Sequence, residues 1–122
     1  MLKILLLEDQ KPDAELAVRA LRSAGIEVEC QRVRDEAGFR AALTWLPDIV
    51  ISDGRVPGFP GLAALALVKA EAPGTPFILL SGDPWDYRAQ EAIAAGASDY
   101  VCKADLRALA PAVLRALEAR KN

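Results

Sequence analysis

Short apolar runs alternate along the chain with longer segments in which apolar residues recur every three or four positions. The runs have the length and composition of β-strands. The residues 26–33 alternate apolar and polar side chains, which is typical of a half-exposed edge strand, whereas LKILLL at 2–7 is typical of a strand covered on both faces. The predicted strands are 2–7, 26–33, 48–52, 76–80 and 98–102.

The segments between the runs have helical periodicity and recognisable ends. Pro12 marks the start of the first helix and Gly25 its end. Asp105 is the predicted N-cap of the last helix. Pro111 would then fall past the first turn of that helix, where proline kinks the backbone. The predicted helices are 12–25, 35–45, 61–72, 83–96 and 105–121.

Five strands alternating with five helices predict an α/β fold with a parallel sheet between two helical layers. A chain of 122 residues is long enough to bury a sizeable core, and it contains no repeat, linker or low-complexity tract. We therefore expect one domain over residues 1–122. In such sheets ligands bind outside the carboxyl ends of the strands, where the strand order reverses.

The net charge and the residue types present exclude several classes of function and location. A net charge of −2 favours neither nucleic acid nor an anionic membrane as a direct partner. The chain has no histidine, which excludes histidine catalysis and histidine metal ligands. Two cysteines are too few for a disulfide scaffold, no apolar run is long enough to span a bilayer, and the start lacks a signal-cleavage pattern. We expect a cytoplasmic protein.

Ionisable or hydroxyl side chains that could form a site follow four of the five predicted strands. Glu8 and Asp9 follow the first strand, Asp53 the third, Ser81 the fourth and Lys103 the fifth, while the second strand, the predicted edge, contributes nothing ionisable of note. Parallel strands end at the same edge, so these side chains are expected to converge. Clustered carboxylates must raise their pKa values or bind a cation, and an all-oxygen set favours Mg²⁺, with Mn²⁺ as a substitute.

A lysine at the same edge indicates that a phosphoryl group binds beside the cation. A metal site does not itself need the positive charge of Lys103, but phosphoryl oxygens do. Ser81 and Gly82 add a hydroxyl and an unobstructed backbone N–H for the same purpose.

Four segments together resemble the receiver domain of two-component response regulators, the CheY-like branch of the flavodoxin-like fold. Their order and spacing match the family, and the resemblance covers essentially the whole chain. It implies a (βα)5 three-layer sandwich with strand order 2-1-3-4-5. The segments are LLLED at 5–9, DIVISDGRVPGFPG at 48–61, ILLSG at 78–82 and DYVCK at 99–103.

The resemblance implies an acceptor and a metal site. Asp53 would be the phosphoacceptor. Glu8 and Asp9 would be the acidic pair that holds Mg²⁺ together with Asp53. The backbone carbonyl of Arg55 would be a further metal ligand.

The remaining roles implied by the resemblance concern phosphate binding and switching. Ser81 would be the switch hydroxyl, Lys103 the phosphate-binding lysine and Tyr100 the switch aromatic residue. Arg55 and Asp83 flank the site, and we expect them to pair across its mouth.

One departure from the family pattern concerns the loop after the last strand. The family usually has a cis proline after the lysine, whereas Ala104 follows Lys103 here. A cis bond costs roughly 3–4 kcal/mol before a residue other than proline, so we expect a trans bond or a rearranged loop. The stretch KADL resembles receivers attached to sensor kinases more than receivers fused to DNA-binding domains.

The resemblance implies a phosphorylation-controlled switch and not an enzyme acting on a separate substrate. It would accept a phosphoryl group from a histidine kinase or phosphotransfer protein, catalyse that transfer itself and lose the group slowly. A downstream protein or a second copy would bind the surface formed by residues 84–120, here named the 84–120 surface. No direct contact with nucleic acid or membrane is expected.

One alternative stays open: a receiver cut from a hybrid sensor kinase, which would act as a phosphorelay intermediate or sink. Other functions fit the sequence less well. A haloacid-dehalogenase-like phosphatase needs a second aspartate where Arg55 stands. A receiver that serves only protein interaction would lack one of Asp9, Asp53 or Lys103, and all three are present. A flavodoxin or dinucleotide site would have a glycine-rich loop after the first strand, where the sequence is EDQKPD.

Overall fold

A computed structural model describes residues 1–83 and 87–121. In these residues strands and helices alternate from β1 to α5, as the hydrophobic pattern predicts. The strands are β1 (Leu2–Leu7), β2 (Val28–Val33), β3 (Ile49–Asp53), β4 (Phe77–Ser81) and β5 (Asp99–Cys102). The α-helices are α1 (Lys11–Ser23), α2 (Glu36–Leu43), α3 (Gly61–Glu71), α4 (Tyr87–Ala94) and α5 (Leu109–Lys121).

The five strands form one parallel sheet in the order β2-β1-β3-β4-β5, which confirms the predicted flavodoxin-like topology. The order reverses next to β1, so the carboxyl ends of β1 and β3 lie side by side at the centre of the sheet. Leu7 pairs with Ser52 in this register. Glu8 and Asp53, the next residue of each strand, therefore emerge together at the edge where ligands bind.

Helices cover both faces of the sheet and bury a separate apolar cluster on each. Ile4 and Leu6 of β1 pack with residues of α1 and α5. Leu5 and Leu7 pack on the opposite face with residues of α2, α3 and α4. Because successive strand side chains point to opposite faces, a strand between two helical layers must be apolar where both faces are covered, which explains the buried run ILLL at 4–7.

The first three helices begin and end within two residues of their predicted bounds. Pro12 lies in the first turn of α1, and Gly25 follows the helix with a φ of 87° that favours glycine. The fourth helix was predicted over 83–96 and is observed over Tyr87–Ala94. Its predicted residues 84–86 lie outside the described residues.

The predicted start of the last helix is wrong. Residues Lys103–Ala108 form 3₁₀ turns, and Asp105 interrupts them with a non-helical φ of −132° and ψ of 69°. The α-helix begins only at Leu109. Pro111 therefore lies in its first turn, where a backbone N–H would have no helical partner, and not past it as predicted.

Two further expectations can be compared with the described residues. Cys30 and Cys102 are free, half-buried thiols. Among the described helices, none combines the length and apolar composition that crossing a bilayer requires.

Candidate functional site

The carboxyl edge of the sheet brings Lys103 against three carboxylates. Its Nζ lies 2.7 Å from Glu8 Oε2, 3.0 Å from Asp13 Oδ2 and 3.3 Å from Asp53 Oδ2. Glu8 follows β1, Asp53 ends β3 and Lys103 follows β5, so three strands that are distant in sequence supply one cluster. The predicted convergence of these groups is what the structure shows.

Glu8 is fully buried beneath this cluster. Its Oε1 accepts a hydrogen bond from the Gln10 N–H at 3.1 Å. Its Oε2 has an ion-pair contact with Lys103 but no aligned hydrogen-bond donor among the described residues. Burial raises the pKa of Glu8 from 4.5 to about 7, because the Lys103 ammonium and the Gln10 N–H only partly offset burial and the Asp53 charge adds to it.

The same cluster also shifts the pKa of Lys103. Burial alone would lower the pKa of Lys103, but the Glu8 and Asp13 carboxylates and the charge of Asp53 together raise it above its usual value. The lysine therefore remains an ammonium throughout the physiological pH range.

Glu8, Asp9 and Asp53 together fit a hard divalent cation. Each offers one carboxylate oxygen, and these oxygens lie within 4.8 Å of one another. The buried Glu8 Oε2 lacks an aligned donor, which a cation would compensate. All-oxygen donors are those that Mg²⁺ and Mn²⁺ prefer. Asp9 is only half-buried and accepts a hydrogen bond from Gln10 Nε2 at 3.2 Å, so it lies at the solvent side of the cluster.

The loop after β3 closes tightly behind Asp53. The Arg55 N–H donates to Asp53 Oδ1 at 3.3 Å, and the Gly61 N–H donates to the Gly54 carbonyl at 3.2 Å. A Cβ on Gly61 would lie 3.0 Å from Gly54 Cα and 3.1 Å from the Asp53 carbonyl oxygen, so this close approach of the backbone favours glycine. The backbone of the loop thereby orients the Asp53 carboxylate.

The predicted pair across the mouth of the site stays a prediction. Arg55 and Asp83 are both exposed, and the Asp83 backbone is hydrogen-bonded to the Ser81 hydroxyl. The assignment of the Arg55 backbone carbonyl as a metal ligand stays a prediction.

Ser81, Gly82 and Tyr100 lie on or just after the two strands that follow β3 in the sheet. Ser81 is buried at the end of β4, and its hydroxyl donates to the Asp83 carbonyl at 2.9 Å. It also accepts from the Asp83 N–H at 3.2 Å. Gly82 is exposed just beyond, and Tyr100 is exposed on the edge strand β5. The Lys103–Ala104 peptide is trans, as expected.

Sequence reasoning missed two residues at this site. Asp13 lies in the first turn of α1, and the available signal was that this helix begins directly after Glu8 and Asp9. Arg32 lies on β2, and its Nη1 donates to the Glu8 backbone carbonyl at 3.0 Å. The interpretation that the second strand contributes nothing ionisable of note is therefore wrong, since the arginine reaches across from the neighbouring strand.

Known proteins are similar to this chain in sequence and in structure. The family model described as response regulator receiver domain matches residues 4–114. The transcriptional regulatory protein DltR of Streptococcus agalactiae serotype III (strain NEM316) is 31% identical over 84% of this chain and 45% of its own length. The chain thus spans less than half of DltR.

Two other proteins match over most of their own lengths. The two-component response regulator ORR41 of Oryza sativa subsp. japonica is 31% identical, with 84% of each chain covered. The crystal structure of a response regulator receiver domain protein from Clostridium thermocellum superposes with a TM-score of 0.86 at 25% identity, covering 99% of this chain and 98% of that one. With the family model matching nearly the whole length, this chain belongs to the response regulator receiver domain family.

Proposed function

We propose that the chain accepts a phosphoryl group on Asp53 and responds as a switch in two-component signalling. One observation carries this proposal: the Lys103 ammonium contacts Asp53 at 3.3 Å inside a cluster of carboxylates that fits a divalent cation. We further propose that residues 1–122 act as a single receiver domain located in the cytoplasm, with a histidine kinase or phosphotransfer protein as the phosphodonor.

The chemistry needs little from the protein beyond placement and charge. A carboxylate oxygen of Asp53 forms the new P–O bond, and the bond from phosphorus to the donor nitrogen breaks, with the electron pair leaving on the donor. No general base is required, because a carboxylate is already ionised at neutral pH. The Arg55 N–H orients one oxygen of Asp53, and Lys103 lies where it can bind an oxygen of the incoming group.

The cation supplies neutralisation of the charge that develops on the phosphoryl oxygens. Glu8, Asp9 and Asp53 would hold Mg²⁺, or Mn²⁺ in its place. In this arrangement Glu8 and Asp9 can stand side by side in the sequence because the cation offsets their mutual repulsion.

Labelling with a small phosphodonor tests the proposal. Acetyl phosphate with Mg²⁺ should add one acid-labile phosphoryl group, and Asp53→Asn should abolish the labelling. Asp9→Asn should raise the Mg²⁺ concentration that labelling requires, whereas the neighbouring exposed-residue variant Glu15→Gln should not change it. Acid-stable phosphate on Ser81, or labelling that persists in Asp53→Asn, would contradict the assignment.

The phosphatase alternative gains no support from the geometry. A second aspartate would have to stand at position 55, and the arginine there is exposed and contributes its backbone N–H to Asp53. A receiver from a hybrid kinase, acting as relay or sink, uses the same site and differs only in its output.

We propose that the output is carried by the 84–120 surface, which binds a downstream protein or a second copy. Phosphorylation would draw the Ser81 hydroxyl away from Asp83 toward the new oxygens, and Tyr100 would turn toward the space left beside β5. Neither nucleic acid nor membrane is a direct partner in this proposal.

Beryllofluoride, a phosphoryl mimic, tests this switch. NMR shift changes should cluster at the site loops and over residues 81–105, including Tyr100. Changes confined to the loop around Asp53, with Tyr100 unmoved, would instead indicate a relay or sink without this switch.

A further inference from the structure

Asp13 is a fourth carboxylate at the site, and it lies outside the cluster that fits the cation. Its Oδ2 accepts a hydrogen bond from Lys103 Nζ at 3.0 Å. The contact joins the first turn of α1 to the residue that follows β5, so it is made by the fold and not by the local sequence. The Asp13 side chain is 41% exposed and that of Lys103 22% exposed, so solvent screens the contact only in part.

The positive charge of Lys103 is already shared among three carboxylates before any phosphoryl group arrives. Three carboxylate oxygens lie within 3.3 Å of its Nζ, and Asp13 Oδ2 accepts a hydrogen bond from it. A phosphoryl group on Asp53 brings further negative oxygens to the same nitrogen. Lys103 can then bind one of them only by sharing its charge with the carboxylates already present.

The three carboxylates differ in what phosphorylation does to them. Asp53 becomes an acyl phosphate, so its own carboxylate charge passes to the new group. Glu8 belongs to the set that fits the cation, which balances its charge. Asp13 is neither phosphorylated nor part of the set that fits the cation, so it keeps its negative charge and its hydrogen bond from Lys103.

We propose that Asp13 competes with the phosphoryl group for Lys103 and thereby weakens the hold of the site on that group. The inference rests on the proposed phosphoacceptor function of Asp53. Asp13 acts through Lys103 and is a positioning residue. Without the Asp13 charge, Lys103 contacts only the Glu8 and Asp53 carboxylates, and more of the lysine charge is available to the phosphoryl oxygens.

The test compares beryllofluoride affinity in saturating Mg²⁺ among four proteins. Asp13→Asn removes the charge and keeps the shape, and it should bind about threefold more tightly than the natural sequence, the size expected for a partly exposed charge pair. Asp13→Glu keeps a carboxylate and should restore the weaker binding. Glu15→Gln removes one charge from an exposed residue of the same helix and should leave the affinity unchanged.

Ionic strength separates charge competition from a merely structural effect. The ratio of affinities between Asp13→Asn and the natural sequence should fall toward one between about 0.02 M and about 0.5 M salt, because Asp13 is partly exposed. Equal or weaker binding by Asp13→Asn at low salt would overturn the inference, and so would tighter binding that salt does not change.

The natural sequence serves as the control for the underlying function. If it binds beryllofluoride and is labelled on Asp53 while Asp13→Asn behaves identically, only the role of Asp13 is refuted. If it neither binds nor is labelled, the phosphoacceptor function itself fails and this inference with it.

Discussion

Two ion pairs in this molecule have nearly the same length and very different surroundings. Lys103 Nζ lies 2.7 Å from Glu8 Oε2, and Arg115 Nη2 lies 2.8 Å from Asp99 Oδ2. The Glu8 side chain is completely buried, whereas the Arg115 side chain is 67% exposed. Water and salt screen the exposed pair, but the buried carboxylate has lost its hydration and depends on its neighbours.

The difference shows that burial, and not distance, decides what an ion pair does. The pair at Arg115 joins α5 to β5 within the proposed partner surface, where a small contribution suffices. The pair at Lys103 leaves Glu8 with a pKa near 7 and an oxygen without an aligned donor. Such a group is poised to gain from a cation, which is a functional property more than a stabilising one.

The largest expected effect is a pH dependence that comes from Glu8. The pKa of Glu8 is about 7 in the fold against 4.5 for the unfolded chain, so the fold binds this proton more tightly, and the stability that this supplies is fully present below pH 4.5. The natural sequence loses that stability as the pH rises through about 7. Glu8→Gln has no such proton to lose, so in the absence of metal its free energy of unfolding should rise by about 3 kcal/mol relative to that of the natural sequence as the pH is raised from 4.5 to about 7. Urea unfolding in EDTA across the pH range measures this.

The control for that experiment is Glu15→Gln, an exposed glutamate on α1. It should follow the natural sequence at every pH. A difference between Glu8→Gln and the natural sequence that does not change with pH would show that folding does not shift the pKa of Glu8, and the contrast with the exposed pair would lose its basis.

A smaller effect is expected for Lys103. At pH 8 without metal, Lys103→Met should lower the free energy of unfolding by about 2 kcal/mol. The substitution removes the ammonium that Glu8, Asp13 and Asp53 share. Saturating Mg²⁺ should recover part of the loss, because it binds the folded state. Lys11→Met makes the same substitution at an exposed lysine and should change stability little. Equal losses in the two variants would mean that the buried cluster contributes nothing specific.

The smallest effect belongs to the exposed pair. Arg115→Gln should lower the free energy of unfolding by about 0.5 kcal/mol or less, and the loss should vanish at high salt. Thermal unfolding at low and at high salt measures it. A loss as large as that of Lys103→Met would show that distance alone sets the energy of these pairs.

Local chemistry made most of the fold predictable. The period-two pattern of 26–33 and the continuous apolar run of 2–7 distinguish an edge strand from a central one, and both lie where predicted. The start of α5 failed because Asp105 is a good capping residue in isolation. The backbone there is already held between β5 and the lysine contacts of the site, and it turns through 3₁₀ geometry before the helix begins.

The sequence predicted which strand ends form the candidate site, but not which side chains contact one another there. Glu8, Asp53 and Lys103 stand at the ends of strands whose order the resemblance to receiver domains implies, so their meeting follows from topology. The pairing of Arg55 with Asp83 stays a prediction, since spacing along the chain does not fix the direction of side chains that flank a site.

The sequence by itself determined which chemical groups reach the carboxyl edge of the sheet, because strand alternation fixes where each strand ends. Only the tertiary structure decided how they interact. Asp13 approaches Lys103 across ninety positions, and Arg32 reaches the Glu8 carbonyl from the neighbouring strand. Burial of Glu8 depends on every element packed around it. A pKa near 7 is thus a property of the assembled environment, which no spacing along the chain records.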